Sequence, residues 1–168
     1  EWLTRPIAEA HARGMKIVIH PHIAYWGSPF SWRGEIEFSS DEDWSRFFTT
    51  YRAWILRLVE ICGEADAFVV GNELELTVHF EKEWRSLIAA VRSRFAGPLT
   101  YAANWDRYQR VPFWDALDVI GVQAYFPVAR NDAPVTDAEL LRQWREVLEP
   151  LRALARQGNR EVLFTEIG

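Results

Sequence analysis

Ala67-Phe68-Val69-Val70-Gly71-Asn72-Glu73 is an apolar run of strand length that ends abruptly in an amide and a carboxylate. A strand apolar at every position is covered on both faces, as in a parallel sheet flanked by helices. The same form recurs outward from it. Met15–His20 (MKIVIH), Leu99–Ala103 (LTYAA), Leu117–Val122 (LDVIGV) and Glu161–Phe164 (EVLF) read as four further strands. Helical stripes separate most of them. Ser40 with Asp43 predicts a capping-box-like start, followed by Trp44, Phe47, Phe48, Tyr51, Trp54, Ile55, Leu58 and Val59 on one face, with Gly63 as the stop. Trp84, Leu87, Ile88, Val91 and Phe95 form the next stripe, closed by Gly97-Pro98. Thr136 with Glu139 caps a last helix carrying Leu140, Leu141, Trp144, Val147, Leu148, Leu151 and Leu154, and Pro150 is expected to kink or divide it. Trp44, Trp54, Trp84 and Trp144 are assigned to the core on these stripes, and Glu1–Arg13 reads as the end of a helix.

Alternating strands and helices fit either a doubly wound open sheet or a (β/α)8 barrel. The strand ends favour the barrel. The five runs lead into His20-Pro21-His22, Asn72-Glu73, Asn104-Trp105-Asp106, Gln123-Ala124-Tyr125 and Thr165-Glu166. All five deliver polar or aromatic groups to one face, where a parallel barrel holds its active site. A doubly wound nucleotide binder needs a glycine-rich turn after an early strand, and the chain has neither GxGxxG nor GxxxxGK[ST].

Composition narrows the function. The 168 residues suit one domain, and 49% apolar content is enough for a core. Nineteen basic against 24 acidic residues give a net charge of −5 with no basic block, so neither nucleic acid nor membrane is expected as a partner. A single Cys, Cys62, rules out a disulfide scaffold. No apolar run reaches the roughly 18 residues of a membrane span. Nine Trp are many for this length and can fill a core or line a groove. Glu1 in place of Met, and a last strand that stops at Gly168, predict a piece of a longer chain with its localisation unconstrained. Five strands would leave Ile17, Ile19, Val69, Val119 and Leu163 without opposite walls, so residues 1–168 alone are not expected to be a well-behaved enzyme.

Glu73 and Glu166 are the candidate catalytic residues. Each directly follows an apolar strand, where desolvation raises a carboxyl pKa unless a cation holds it ionised. Two such groups in one cleft can divide the work of acetal hydrolysis, one protonated and one charged. Each alone could instead pair with an Arg or cap the next helix. His20-x-His22 could begin a metal site, but carboxylates would have to complete the shell. The reading adopted is no metal and no cofactor, with one imidazole bonding a substrate hydroxyl or Glu166 and the other structural. Trp26, Trp32, Trp105 and Tyr125 lie in strand-end loops and suit the apolar C–H faces of sugar rings, with Asn104 and Asp106 for hydroxyls.

Trp32-Arg33-Gly34-Glu35-Ile36, Gly71-Asn72-Glu73-Leu74, LTYAANWD (99–106), FWDALDVIGVQAY (113–125) and FTEIG (164–168) together resemble glycoside hydrolase family 113, a β-mannanase family of the retaining-glycosidase clan A. The resemblance runs from the first strand to the last residue. It implies a (β/α)8 TIM barrel, here a partial one covering strands 3 to 7, with 1–168 a single partial catalytic domain. It further implies Glu73 as acid/base, Glu166 as nucleophile, Asn72 on the substrate 2-hydroxyl, and Tyr125 with one His orienting Glu166. The implied substrate is a β-linked hexose oligosaccharide or polysaccharide, most specifically β-1,4-mannan. The alternative is a non-catalytic sugar-binding or scaffold barrel, and the presence of both carboxylates argues against it.

Overall fold

The computed structural model describes residues 1–128 and 136–168. Its elements in chain order are α1 (Thr4–Ala12), β1 (Val18–Ile19), α2 (Asp41–Ile61), β2 (Ala67–Asn72), α3 (Glu81–Arg92), β3 (Leu99–Asn104), β4 (Val119–Ala124), α4 (Asp137–Gly158) and β5 (Glu161–Ile167). The strands form one parallel sheet in the order β1-β2-β3-β4-β5. The sheet curls with helices packed on its outside, giving a partial (β/α)8 barrel.

Local chemistry sets the helix limits. Gly14 takes φ +70°, a conformation cheap only for glycine, and its N–H and that of Met15 return to the carbonyls of His11 and Ala10, closing α1. Ser40 Oγ accepts from Asp43 N at 3.1 Å and donates to its carboxylate at 2.7 Å, so the start of α2 is capped as expected. Thr136 Oγ1 accepts from Glu139 N at 3.3 Å at the start of α4. That helix continues through Pro150 undivided. The ring removes one backbone donor, but buried Leu151 and the packed Trp144, Val147, Leu148 and Leu154 hold both sides of it on the sheet.

The core lies between helices and sheet. Trp84 is fully buried, stacks on Phe113 at 5.4 Å and donates from Nε1 to Thr77 O at 3.0 Å. A Cβ on Gly71 would sit 2.5 Å from that indole, so only glycine lets β2 approach it. Trp54, by contrast, is 37% exposed and lies at the edge of the core rather than within it. A second correction concerns β1. Only Val18–Ile19 pair with β2, because Asp66 occupies the backbone N–H of Ile17 and Pro21 supplies no donor beyond the strand. Ile17 and Ile19 pack with the helix-side core and Val18 is 46% exposed, so the inward assignment of the two isoleucines is off by one residue.

Candidate active site

Two ladder irregularities aim the strand-end side chains. Between β2 and β3 the register runs Val69↔Thr100 and then Asn72↔Ala102, three positions against two. Strict alternation from Val69 would put Gly71 on its face; the extra residue puts Asn72 there. Between β4 and β5 the register passes from Val122↔Phe164 to Gln123↔Glu166, which inserts Thr165 and sets Glu166 beside Gln123.

Glu73 sits just past the first bulge with φ +51°, a left-handed conformation uncommon for a non-glycine residue. Its surroundings fix that geometry. Its own N–H donates to Ala102 O at 2.9 Å, and Leu74 N–H donates to the buried Tyr101 hydroxyl at 2.8 Å. The carboxylate is half-buried and accepts from Arg33 Nη1 at 2.6 Å. Arg33 in turn donates from Nε to Ile23 O at 3.3 Å and lies 5.5 Å over the Tyr25 ring. Burial raises the Glu73 pKa, Arg33 opposes that rise, and the charge of Glu166 adds to it; the net direction is up.

Glu166 accepts from the Tyr125 hydroxyl at 3.0 Å and from Gln123 Nε2 at 3.3 Å, and its Oε1 lies 3.7 Å from His22 Nε2. Gln123 Nε2 also donates to Asn72 Oδ1 at 2.6 Å, and Asn72 Nδ2 meets His22 Nδ1 at 3.1 Å. The rings of His20 and His22 lie 4.3 Å apart. Burial holds the pKa of both imidazoles down, with His22 acting further on His20 and Arg33 on His22. One ring nitrogen of each and an oxygen of Glu166 lie within 4.8 Å of one another, a spacing a cation could use.

Of the residues expected from the sequence, His20, His22, Asn72, Tyr125 and Glu166 thus form one cluster, with Glu73 next to Asn72 in the chain. Asn104 borders a narrow cleft with Glu73 and Tyr101. Asp106 pairs with Arg107 at 3.5 Å. The Trp105 ring is 6.0 Å from Phe126 and packs against the core, Trp32 folds across Gly34, and Trp26 is 87% exposed. Arg33 and Gln123 are further functional candidates, brought to the site by the fold. Their signal is an Arg in a loop facing a strand-end Glu, and an amide ending an otherwise apolar strand. Glu75, two residues beyond Glu73, is tied to Arg107 at 2.7 Å and Arg110 at 3.4 Å.

The curled parallel sheet, with its polar cluster at the C-terminal strand ends, defines a partial (β/α)8 barrel, a fold that carries its chemistry on that face. Residues 1–168 match the family described as Glycoside Hydrolase Family 113. The chain belongs to that family. Solved structures agree. It is 30% identical, with a TM-score of 0.84, to the GH113 β-mannanase AaManA from Alicyclobacillus acidocaldarius in complex with ManMIm, over 98% of this chain and 50% of that one. A GH113 β-1,4-mannanase complex is 29% identical with a TM-score of 0.81, over 96% of this chain and 50% of that one. Another GH113 β-1,4-mannanase is 28% identical, also at 0.81, over 99% and 51%. The chain therefore spans about half the length of these structures. No curated protein sequence matches it.

Proposed function

We propose that this chain carries the catalytic carboxylates of a retaining glycoside hydrolase acting on β-linked mannan. The observation that carries the reading is the pair of strand-end glutamates in two different electrostatic settings. Glu73 is half-buried with its carboxyl pushed upward, suited to hold a proton. Glu166 accepts hydrogen bonds from Gln123 and Tyr125, which fix its carboxylate in place for attack. Glu166 attacks the anomeric carbon, and the glycosidic C–O bond breaks as Glu73 gives its proton to the leaving oxygen. Glu73 then takes a proton from water, whose oxygen displaces Glu166 and restores both groups. In this scheme Asn72 is the contact of the substrate 2-hydroxyl, as the family resemblance implies.

The test is the anomeric configuration of the first-formed product from a β-1,4-linked manno-oligosaccharide, followed by NMR with the native protein. A β product is expected; an α product means inversion and ends the two-step scheme.

Arg33 tunes this machinery. It pulls the Glu73 pKa down against burial, so Arg33→Met lets it rise further. Activity is lost as Glu73 deprotonates, so the alkaline limb of kcat/KM is expected to move to higher pH in the variant. An unmoved limb would show that the Arg33–Glu73 pair has no part in the titration.

No step of this scheme calls on a metal ion. Activity of the native protein is expected to survive prolonged treatment with a chelator. Loss of activity restored by Zn²⁺ would return His20, His22 and Glu166 to the role of ligands.

A further inference from the structure

Glu166, Gln123, Asn72 and His22 form a closed ring of contacts, and the atom types around it leave one consistent pattern of protons. An ionised carboxylate only accepts, so the Gln123 atom 3.3 Å from Glu166 Oε1 is its amide nitrogen. The same nitrogen lies 2.6 Å from Asn72, which must present its oxygen there. The Asn72 nitrogen is thereby turned to His22 Nδ1 at 3.1 Å, so Nδ1 is the bare acceptor. A neutral imidazole then carries its proton on Nε2, the atom 3.7 Å from Glu166 Oε1 where the ring began.

We propose that Gln123 is a positioning residue that sets the orientation of the Asn72 amide and, through it, the Nε2–H tautomer of His22. The inference rests on the reading of Glu166 as the nucleophile. Asn72 and Gln123 are 2% and 1% exposed, so water does not compete for these bonds. Gln123 Oε1 is buried with no partner, a cost on the order of 1–3 kcal/mol. Turning the amide would not recover it, because the oxygen would then face both Glu166 and the Asn72 oxygen. The low pKa of His22, set first by its burial, keeps the ring neutral as the pattern requires. In this pattern His22 Nε2 carries the proton 3.7 Å from Glu166 Oε1, so the ring atom nearest the carboxylate offers no lone pair to a cation.

The ring joins the two ends of the reaction. Gln123 donates both to Glu166 and to Asn72, the residue read as the contact of the 2-hydroxyl. Gln123 bonds Glu166 and Asn72 and takes no part in the bond-making steps of the proposed scheme. Its effect passes through the residues it orients.

The experiment is ¹⁵N NMR of the His22 ring in the native protein near neutral pH, with two near-isosteric variants. The native ring is expected as the Nε2–H tautomer. Asn72→Asp presents an oxygen to Nδ1 and is expected to move the proton to that atom or to charge the ring. Gln123→Met releases the Asn72 amide and is expected to give exchange between tautomers, with kcat/KM on β-1,4-manno-oligosaccharides falling about 10–10²-fold, the scale of lost orientation. An Nδ1–H ring in the native protein overturns the proposal without any variant. So does a tautomer untouched by both substitutions in folded protein, or full activity of Gln123→Met. A native protein that cleaves no β-linked mannan would count against the proposed function, while the tautomer, which needs no turnover, still decides the ring.

Discussion

Glu166→Ala is expected to lose on the order of 10⁴–10⁶ in kcat on β-linked mannan, the scale seen when a covalent nucleophile is removed. The loss has two sources. The covalent intermediate can no longer form, and Gln123 and Tyr125 are left with no carboxylate to receive their hydrogen bonds. The cavity left by the side chain should admit a small anion. With azide and a substrate bearing a good leaving group, the variant is expected to regain turnover and yield an α-glycosyl azide, because the anion attacks from the face that Glu166 occupied. A variant with a tenth of native activity, or a β-azide product, would remove Glu166 from the nucleophile's role.

Glu73→Gln is expected to behave differently. General acid catalysis is worth about 10²–10⁴, and that much should be lost on mannan, whose leaving oxygen is a poor leaving group. An activated aryl glycoside needs no proton for its first step, so glycosylation there should be nearly spared. The pH profile gives a second reading. In the proposed scheme Glu73 acts while protonated, and its pKa is raised by burial against the pull of Arg33. In the native protein kcat/KM is therefore expected to fall as pH climbs through that raised value, and the Gln variant, which has no proton to lose, should show no such fall. Equal losses on poor and activated substrates, measured where glycosylation limits the rate, would take the acid role away from Glu73.

Much of the fold was legible because burial leaves its mark on composition. Val69, Val122 and Leu163 stand in runs apolar enough to announce covered strands, and Phe48, Tyr51, Ile55 and Val59 of the helical stripe are buried along α2. The polar residues ending those runs marked the face where the cluster of Asn72, His22, Tyr125 and Glu166 forms, and both glutamates stood out for the same reason.

What alternation could not supply was the direction of the side chains. A period of two, carried from Val69, points Gly71 where the structure points Asn72, and the same rule misplaces Ile17 and Ile19. Bulges add a residue without altering the apolar pattern, so they leave no trace in it. Pairings between distant residues were equally hidden. Arg33 meets Glu73 across 40 positions and Gln123 meets Asn72 across 51. Sequence by itself determined which strands exist, at which end their polar residues gather and which two carboxylates stand there, since each follows from burial along a local stretch. Only the tertiary structure decided which carboxylate lies against a cation and which sits within a ring of donors, because those fields come from groups that folding alone brings within hydrogen-bond reach.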